Sequence, residues 1–216
     1  MATIACLHGA ESNIAVFEEA LSALADSQTR LIHRVESELL ASAIAVGKVT
    51  GMIADAVRRI VQELCGQADA VLITCTTLGV VAKDACLFSK PVLRVDAVLA
   101  EAASRYEGNI VVLCSAPATL ASTRELFSTF VADDRLSVAL IPKAWDFFMQ
   151  QDIAGYHRKI AAYARQYMHT SPGCIVLAQS SMTEAARQVD AEVPVLTVPR
   201  ASLLAAIAAS ALKKTE

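Results

Sequence analysis

Most of the features that announce a function are missing from this chain of 216 residues. Apolar residues make up 55% of it, yet none of its stretches gives the roughly 20 predominantly apolar residues that a membrane span needs. The longest candidates, 70–82 and 201–212, are interrupted by Thr, Ser or Gly. No basic cluster exceeds Lys213-Lys214, and 19 Lys+Arg against 22 Asp+Glu leave a formal net charge of −3. Nucleic acid and anionic membrane both require concentrated Lys/Arg, so neither is an expected partner. The start, Met1-Ala2-Thr3-Ile4-Ala5-Cys6, lacks the basic opening and cleavage pattern of a secretory leader, so a cytoplasmic setting is expected. The six cysteines (6, 65, 75, 86, 114, 174) show no C-x-x-C pairing, and in a reducing compartment most are expected to be small buried hydrophobes. No phosphate loop and no G-x-G-x-x-G fingerprint occurs, which argues against nucleotides and dinucleotide cofactors. His157 and His169 have no ligating companion one helical turn away, are expected to face solvent, and suggest no metal site. No Gly/Ser-rich or Pro-rich linker is present.

What the chain does have is regular alternation. Short β-branched runs at 4–7, 31–35, 70–74, 92–95, 110–114, 136–141, 174–178 and 195–198 predict strands. Between them, apolar residues recur at three or four, as in Ile14, Phe17, Leu21 and Leu24, or Ile53, Val57, Ile60, Val61 and Leu64. Further helices are predicted over 152–169 and 201–212. Strand followed by helix, repeated, means right-handed βαβ units and parallel sheets, hence an α/β fold.

The chain also resembles itself. Val71-Leu72-Ile73-Thr74-Cys75-Thr76-Thr77-Leu78 parallels Ile175-Val176-Leu177-Ala178-Gln179-Ser180-Ser181-Met182. Each is an apolar strand, a polar residue, two hydroxyl residues and an apolar residue entering a helix. Each is followed by Pro-Val-Leu, 16 residues after Cys75 and 15 after Gln179. Upstream, His8 precedes Cys75 by 67 residues and Ser115 precedes Gln179 by 64. These anchors predict two pseudo-symmetric Rossmann-like halves, 1–93 plus 199–216 and 94–198, with a site in the cleft between the carboxyl ends of their strands. His8, Cys75, Thr76, Thr77, Ser115, Gln179, Ser180 and Ser181 fall at those ends. Their hydroxyls, beside the N-termini of following helices, suit a carboxylate, although capping of those helices needs the same residue types. Arg94 and Asp96, which follow Pro91-Val92-Leu93, are expected to form a structural ion pair.

Leu72-Ile73-Thr74-Cys75-Thr76-Thr77 resembles the first cysteine motif of the Asp/Glu racemase superfamily, which includes glutamate, aspartate and hydantoin racemases, maleate isomerase and arylmalonate decarboxylase. The segment 173–181 resembles its second motif, and 117–126 the loop and helix after the first strand of the second half. The resemblance implies a cofactor-independent enzyme working at the carbon next to a carboxylate, on a small carboxylate-bearing substrate, in a family that often forms dimers. The family places one cysteine on each side of the α-carbon. Here Cys75 occupies the first position and Gln179 the second, and an amide neither takes nor supplies a proton near neutral pH. The helper positions hold His8 and Ser181, so thiol and imidazole are both gone from the second half. Ser115 and Thr119 match positions that line the family's site. These correspondences point to one-sided chemistry: Cys75 as base, acid or nucleophile, His8 as its partner, and Thr76, Thr77, Ser115, Thr119, Gln179, Ser180 and Ser181 holding substrate. A racemase, isomerase, decarboxylase or lyase activity fits that pattern. The alternative is a carboxylate-binding or regulatory protein that kept the fold without the chemistry.

Overall fold

The computed structural model describes residues 1–189 and 192–212. Eight strands are present among them: β1 (Ala2–His8), β2 (Thr29–Val35), β3 (Ala70–Ile73), β4 (Val92–Arg94), β5 (Ile110–Cys114), β6 (Leu136–Leu140), β7 (Cys174–Leu177) and β8 (Val195–Thr197). They form two four-stranded sheets of identical order, β2-β1-β3-β4 and β6-β5-β7-β8, in which every pairing is parallel. Every residue of β3, β5 and β7 is buried, as expected of central parallel strands covered on both faces. Edge strand β2 instead carries Arg30, His33 and Arg34, charged or polar residues that blunt an exposed edge.

Helices connect the strands: α1 (Asn13–Ala23), α2 (Ser37–Val46), α3 (Gly51–Cys65), α4 (Val95–Ser104), α5 (Leu120–Ser128), α6 (Ala144–Met149), α7 (Ile153–Arg165) and α8 (Val198–Leu212). The chain divides into two units, Met1–Val98 with the chain from Ser202 onward, and Leu99–Ala201. Each unit is one sheet with its flanking helices, the arrangement of a Rossmann-like half. No helix among the described residues is long and apolar enough to cross a membrane.

In the first unit, Ala5, Leu7, Val71 and Ile73 pack on Ile53, Val57, Val61 and Leu64, the apolar stripe of α3. Thr50 caps that helix by accepting from the Ile53 N–H. In the second unit, Val111, Leu113, Ile175 and Leu177 pack on Tyr156, Ile160, Ala161 and Ala164 of α7. Asp152 caps α7 through the Gly155 N–H at 2.8 Å. The internal repeat is structural down to single hydrogen bonds: the Val71 N–H donates to the Pro91 carbonyl at 2.8 Å, and the Ile175 N–H to the Pro194 carbonyl at 2.9 Å.

The structure departs from the sequence expectation in adding helices α2, α4 and α6 and in the type of two further segments. Helix α2 was not foreseen, because only Ala43 of its ten residues is buried and its small apolar residues run around the helix without a clear stripe. The segments after β3 and β7, Leu78–Leu87 and Ser180–Gln188, are 3₁₀ rather than α-helix.

Candidate functional site

The site residues of the first unit are set by the ends of β1 and β3. These strands pair with Leu7 opposite Ile73, and the Thr74 N–H continues the ladder to the Leu7 carbonyl at 2.9 Å. Side chains alternate between faces along a strand, so Leu7, Ile73 and Cys75 share the α3 side while His8 and Thr74 take the other. The thiol of Cys75 is half-buried against that α3 cluster. It lies directly over Gly9, where a Cβ would stand 3.0 Å from the Cys75 Sγ and 2.8 Å from Leu40 Cδ2. A glycine at position 9 is therefore what makes room for the sulfur.

Burial pushes the Cys75 thiol above its ordinary pKa, and the nearby Asp96 carboxylate adds to the rise. Three hydrogen bonds act in the opposite direction: the backbone N–H groups of Leu78 and Thr77 and the Thr77 hydroxyl all point at the sulfur. These donors favour a thiolate, and they come from the turn entering the 3₁₀ segment that opens at Leu78. The net direction remains upward. Asp96 is itself held by Arg94 in a two-point pair of 2.6 and 2.7 Å, the structural ion pair expected from the sequence. Thr76 and Thr77 are both exposed beside the thiol.

His8 does not join Cys75. It is completely buried on the opposite face, with its Nδ1 2.7 Å from Thr74 Oγ1 and its Nε2 2.9 Å from His33 Nδ1. Each ring nitrogen thus has a polar neighbour on this face, away from the thiol, and the Phe17 ring packs at 5.6 Å. Burial and the neighbouring His33 lower the His8 pKa to about 4, so it is uncharged near neutral pH and supplies no cation to a thiolate. The expected Cys–His pair is corrected here, and its physical reason is strand alternation: a shift of one residue moves a side chain to the other face.

In the second unit, β5 and β7 pair with Leu113 opposite Leu177, and the Ala178 N–H donates to the Leu113 carbonyl at 3.0 Å. In this register Gln179 corresponds to Cys75 and Ser115 to Gly9. Where the first unit has a thiol over a glycine, the second has an amide bonded to a serine. Both the Ser115 N–H and the Ser115 hydroxyl donate to Gln179 Oε1, at 2.8 and 2.6 Å. Gln179 Nε2 donates to Thr119 Oγ1 at 2.6 Å, and that hydroxyl donates to the Ala116 carbonyl at 2.9 Å.

Because the Ser115 proton goes to Gln179, the Tyr156 hydroxyl is left to donate to Ser115 Oγ at 2.6 Å, and Ser181 to donate to Tyr156 at 2.9 Å. Ser181, Tyr156, Ser115 and Gln179 thus form one directed chain of hydrogen bonds. Tyr156 is completely buried, and burial raises its pKa against the lowering effect of the Ser115 and Ser181 contacts. Ser180 sits next to this chain half-buried, its carbonyl accepting from Thr183 at 2.7 Å. His157 is half-buried rather than solvent-facing, with its Nε2 2.9 Å from the Ser181 carbonyl. Cys114 is buried, and burial raises its thiol pKa against the lowering effect of the neighbouring Thr123 and Thr119 side chains.

The structure therefore brings Cys75 and Thr77 together in the first unit, and Ser115, Thr119, Gln179 and Ser181 together in the second. Tyr156 is the residue that sequence reasoning missed. Its spacing with Ile153, Ile160 and Tyr163 marks a buried helix face, which it does occupy. Nothing in that spacing reveals a hydroxyl reaching a serine 41 residues earlier.

No protein-family model and no curated protein matches the chain. Solved structures do share its fold. The aspartate racemase of Picrophilus torridus superposes with a TM-score of 0.74 at 15% identity, over 98% of this chain and 95% of that one. An allantoin racemase from Klebsiella pneumoniae gives 0.70 at 16% identity, over 99% and 89%. A glutamate racemase from Thermus thermophilus gives 0.61 at 18% identity, over 99% and 82%. At such identities the likeness is one of fold.

Proposed function

We propose that this chain is a divergent member of the Asp/Glu racemase superfamily, acting without a cofactor at the carbon next to a carboxylate through one thiol, Cys75. The observation that carries the proposal is the asymmetry between the two register-equivalent positions. Cys75 is a partly accessible thiol facing three hydrogen-bond donors, whereas Gln179 is an amide bonded on both sides to Ser115 and Thr119. A thiol can move a proton and an amide cannot, so the chemistry is one-sided.

As a base, the Cys75 thiolate takes the α-proton and leaves an enediolate. As an acid, the thiol returns a proton to such a carbanion after loss of CO2 from a substituted malonate. The same Thr77 and Leu78 donors that face the sulfur stabilise its anionic form in either direction. The exposed Thr76 and Thr77 hydroxyls are the proposed contacts for the substrate carboxylate. Isomerase, decarboxylase or lyase chemistry fits one thiol better than two-thiol racemisation does.

A second reading, a carboxylate-binding protein without turnover, draws on the upward shift of the Cys75 thiol. Proton NMR in D2O separates the two. Amino acids, hydantoins, maleate and substituted malonates are incubated with the wild-type chain and with Cys75→Ala. α-Carbon exchange, isomerisation or CO2 release that disappears in Cys75→Ala is the expected result. Turnover that survives Cys75→Ala overturns the assignment, and specific binding without any turnover favours the second reading.

A further inference from the structure

We infer that the first unit carries a zinc-class metal site formed by Cys6, His8 and His33, on the sheet face opposite Cys75 and separate from the proposed chemistry. Cys6 and His8 are two residues apart on β1 and so share a face, and Cys6 is paired directly with His33 of β2. The donor atoms of the three residues all lie within 4.8 Å of one another, and no other such group of three occurs among the described residues.

The hydrogen bonds around the two rings allow a tautomer in which one nitrogen of each ring is free to ligate. The Thr74 hydroxyl stands 2.7 Å from His8 Nδ1 and 3.1 Å from the Leu7 carbonyl, and in the tautomer that can ligate its proton goes to the carbonyl while its oxygen accepts from His8 Nδ1–H. That leaves His8 Nε2 as a lone pair. On the other side, the Glu18 carboxylate accepts from His33 Nε2–H at 2.9 Å, which leaves His33 Nδ1 as a lone pair. In this tautomer two lone pairs face each other at 2.9 Å and a cation between them satisfies both; the other tautomer, with Thr74 donating to His8 Nδ1 and His8 Nε2–H to His33 Nδ1, needs none, and metal uptake distinguishes the two.

The third atom beside them is a thiol, and thiolate with imidazole suits zinc. Tetrahedral zinc bonds of about 2.0–2.1 Å to nitrogen and 2.3 Å to sulfur place such donors roughly 3.3–3.6 Å apart, so ligation parts the two ring nitrogens by a few tenths of an ångström and draws in any donor pair standing as far apart as 4.8 Å. An imidazole held by a carboxylate or hydroxyl on its far nitrogen is the usual outer support of a metal-bound histidine, here supplied by Glu18 and Thr74. Three protein ligands leave a fourth position for water. Cys6 and His8 are fully buried, and the His33 side chain, 14% exposed, is the way in. Binding forms a Zn–S bond and releases the Cys6 thiol proton to solvent, with no change of oxidation state.

The test uses the full chain, stripped with a chelator and dialysed against Zn2+, with metal content measured per chain. Co2+ serves as a spectroscopic probe of the same site. The expected result is about one Zn2+ per chain and a Co2+ complex with a near-ultraviolet thiolate charge-transfer band, both lost in His33→Gln. Glu18→Gln should weaken Zn2+ binding about 10- to 100-fold while retaining the band. Cys6→Ser is expected to remove the band. If that buried variant does not fold, as judged by circular dichroism, His33→Gln carries the test on the partly exposed ligand. Absence of stoichiometric Zn2+ uptake, which would mean that a shared proton joins the rings, overturns the inference. So does a Co2+ spectrum without the charge-transfer band, or Zn2+ binding unchanged in His33→Gln.

Discussion

Replacing Gln179 by leucine keeps the side chain's approximate volume but removes the acceptor on which the Ser115 main chain and side chain both depend. Ser115 is 1% exposed, so its N–H has no access to water once Oε1 is gone, while its hydroxyl can turn to donate to the Tyr156 hydroxyl at 2.6 Å. A buried donor left unpaired costs about 1–3 kcal/mol, which is the destabilisation expected here. Thr119 contributes little to this loss, because its hydroxyl retains the Ala116 carbonyl. The assay is urea unfolding followed by the fluorescence of Trp145, the chain's only tryptophan. Its ring stacks on Phe148 at 4.7 Å, and Phe148 lies 5.3 Å from Tyr156, so the signal reports on the second unit and on this network. At a urea slope of about 1–3 kcal/mol per molar, the midpoint should fall by roughly 1 M. Gln179→Glu, which keeps an acceptor for Ser115, should lose much less. A loss below about 0.5 kcal/mol in Gln179→Leu would refute the claim that the amide locks the end of β7.

Other perturbations read the two units separately. Tyr156→Phe removes one donor and one acceptor from the Ser181–Tyr156–Ser115 chain and should cost about 1–2 kcal/mol in the same assay. Burial holds the Cys75 pKa above the ordinary thiol value, so its thiolate fraction at pH 7 is small. Peptide mapping after iodoacetamide treatment should therefore show Cys75 reacting more slowly than the exposed Cys86 at pH 7, and accelerating as pH rises beyond the range in which a free thiol has levelled off. Thr77→Val deletes one of the three donors facing the sulfur, so it should move that profile to still higher pH. Gly9→Ala forces a methyl group to within 3.0 Å of the Cys75 Sγ and 2.8 Å of Leu40 Cδ2. A stability loss of about 1–3 kcal/mol is expected, with altered Cys75 alkylation.

The strands were readable because parallel strands buried on both faces are nearly continuous apolar runs, as in Ala70–Ile73 and Cys174–Leu177. The repeat was readable because Pro91 and Pro194 mark the same hydrogen bond in each unit. Side-chain facing was harder. Matching His8 with Ser115 in the sequence was out of step by one residue with the strand register, which makes Gly9 the partner of Ser115. That single step separates a ring beside the thiol from a ring beneath the opposite face. The Tyr156 hydroxyl was illegible for a different reason: an apolar stripe locates a side chain's body and says nothing of what its polar tip meets. Helix α2 escaped notice because Ala, Leu, Ile and Val surround it and leave little periodic contrast.

The central claim is that one thiol does the chemistry, and the face from which hydrogen arrives tests it most directly. With any substrate that turns over, deuterium incorporation at the α-carbon in D2O is followed by NMR, with chiral analysis of the product. One thiol predicts deuterium entering from one face only, a single product configuration, and loss of the signal in Cys75→Ala with its retention in Tyr156→Phe. Deuterium appearing in both enantiomers from the earliest time points would contradict the account, because a second proton-transfer group would then be serving the other face.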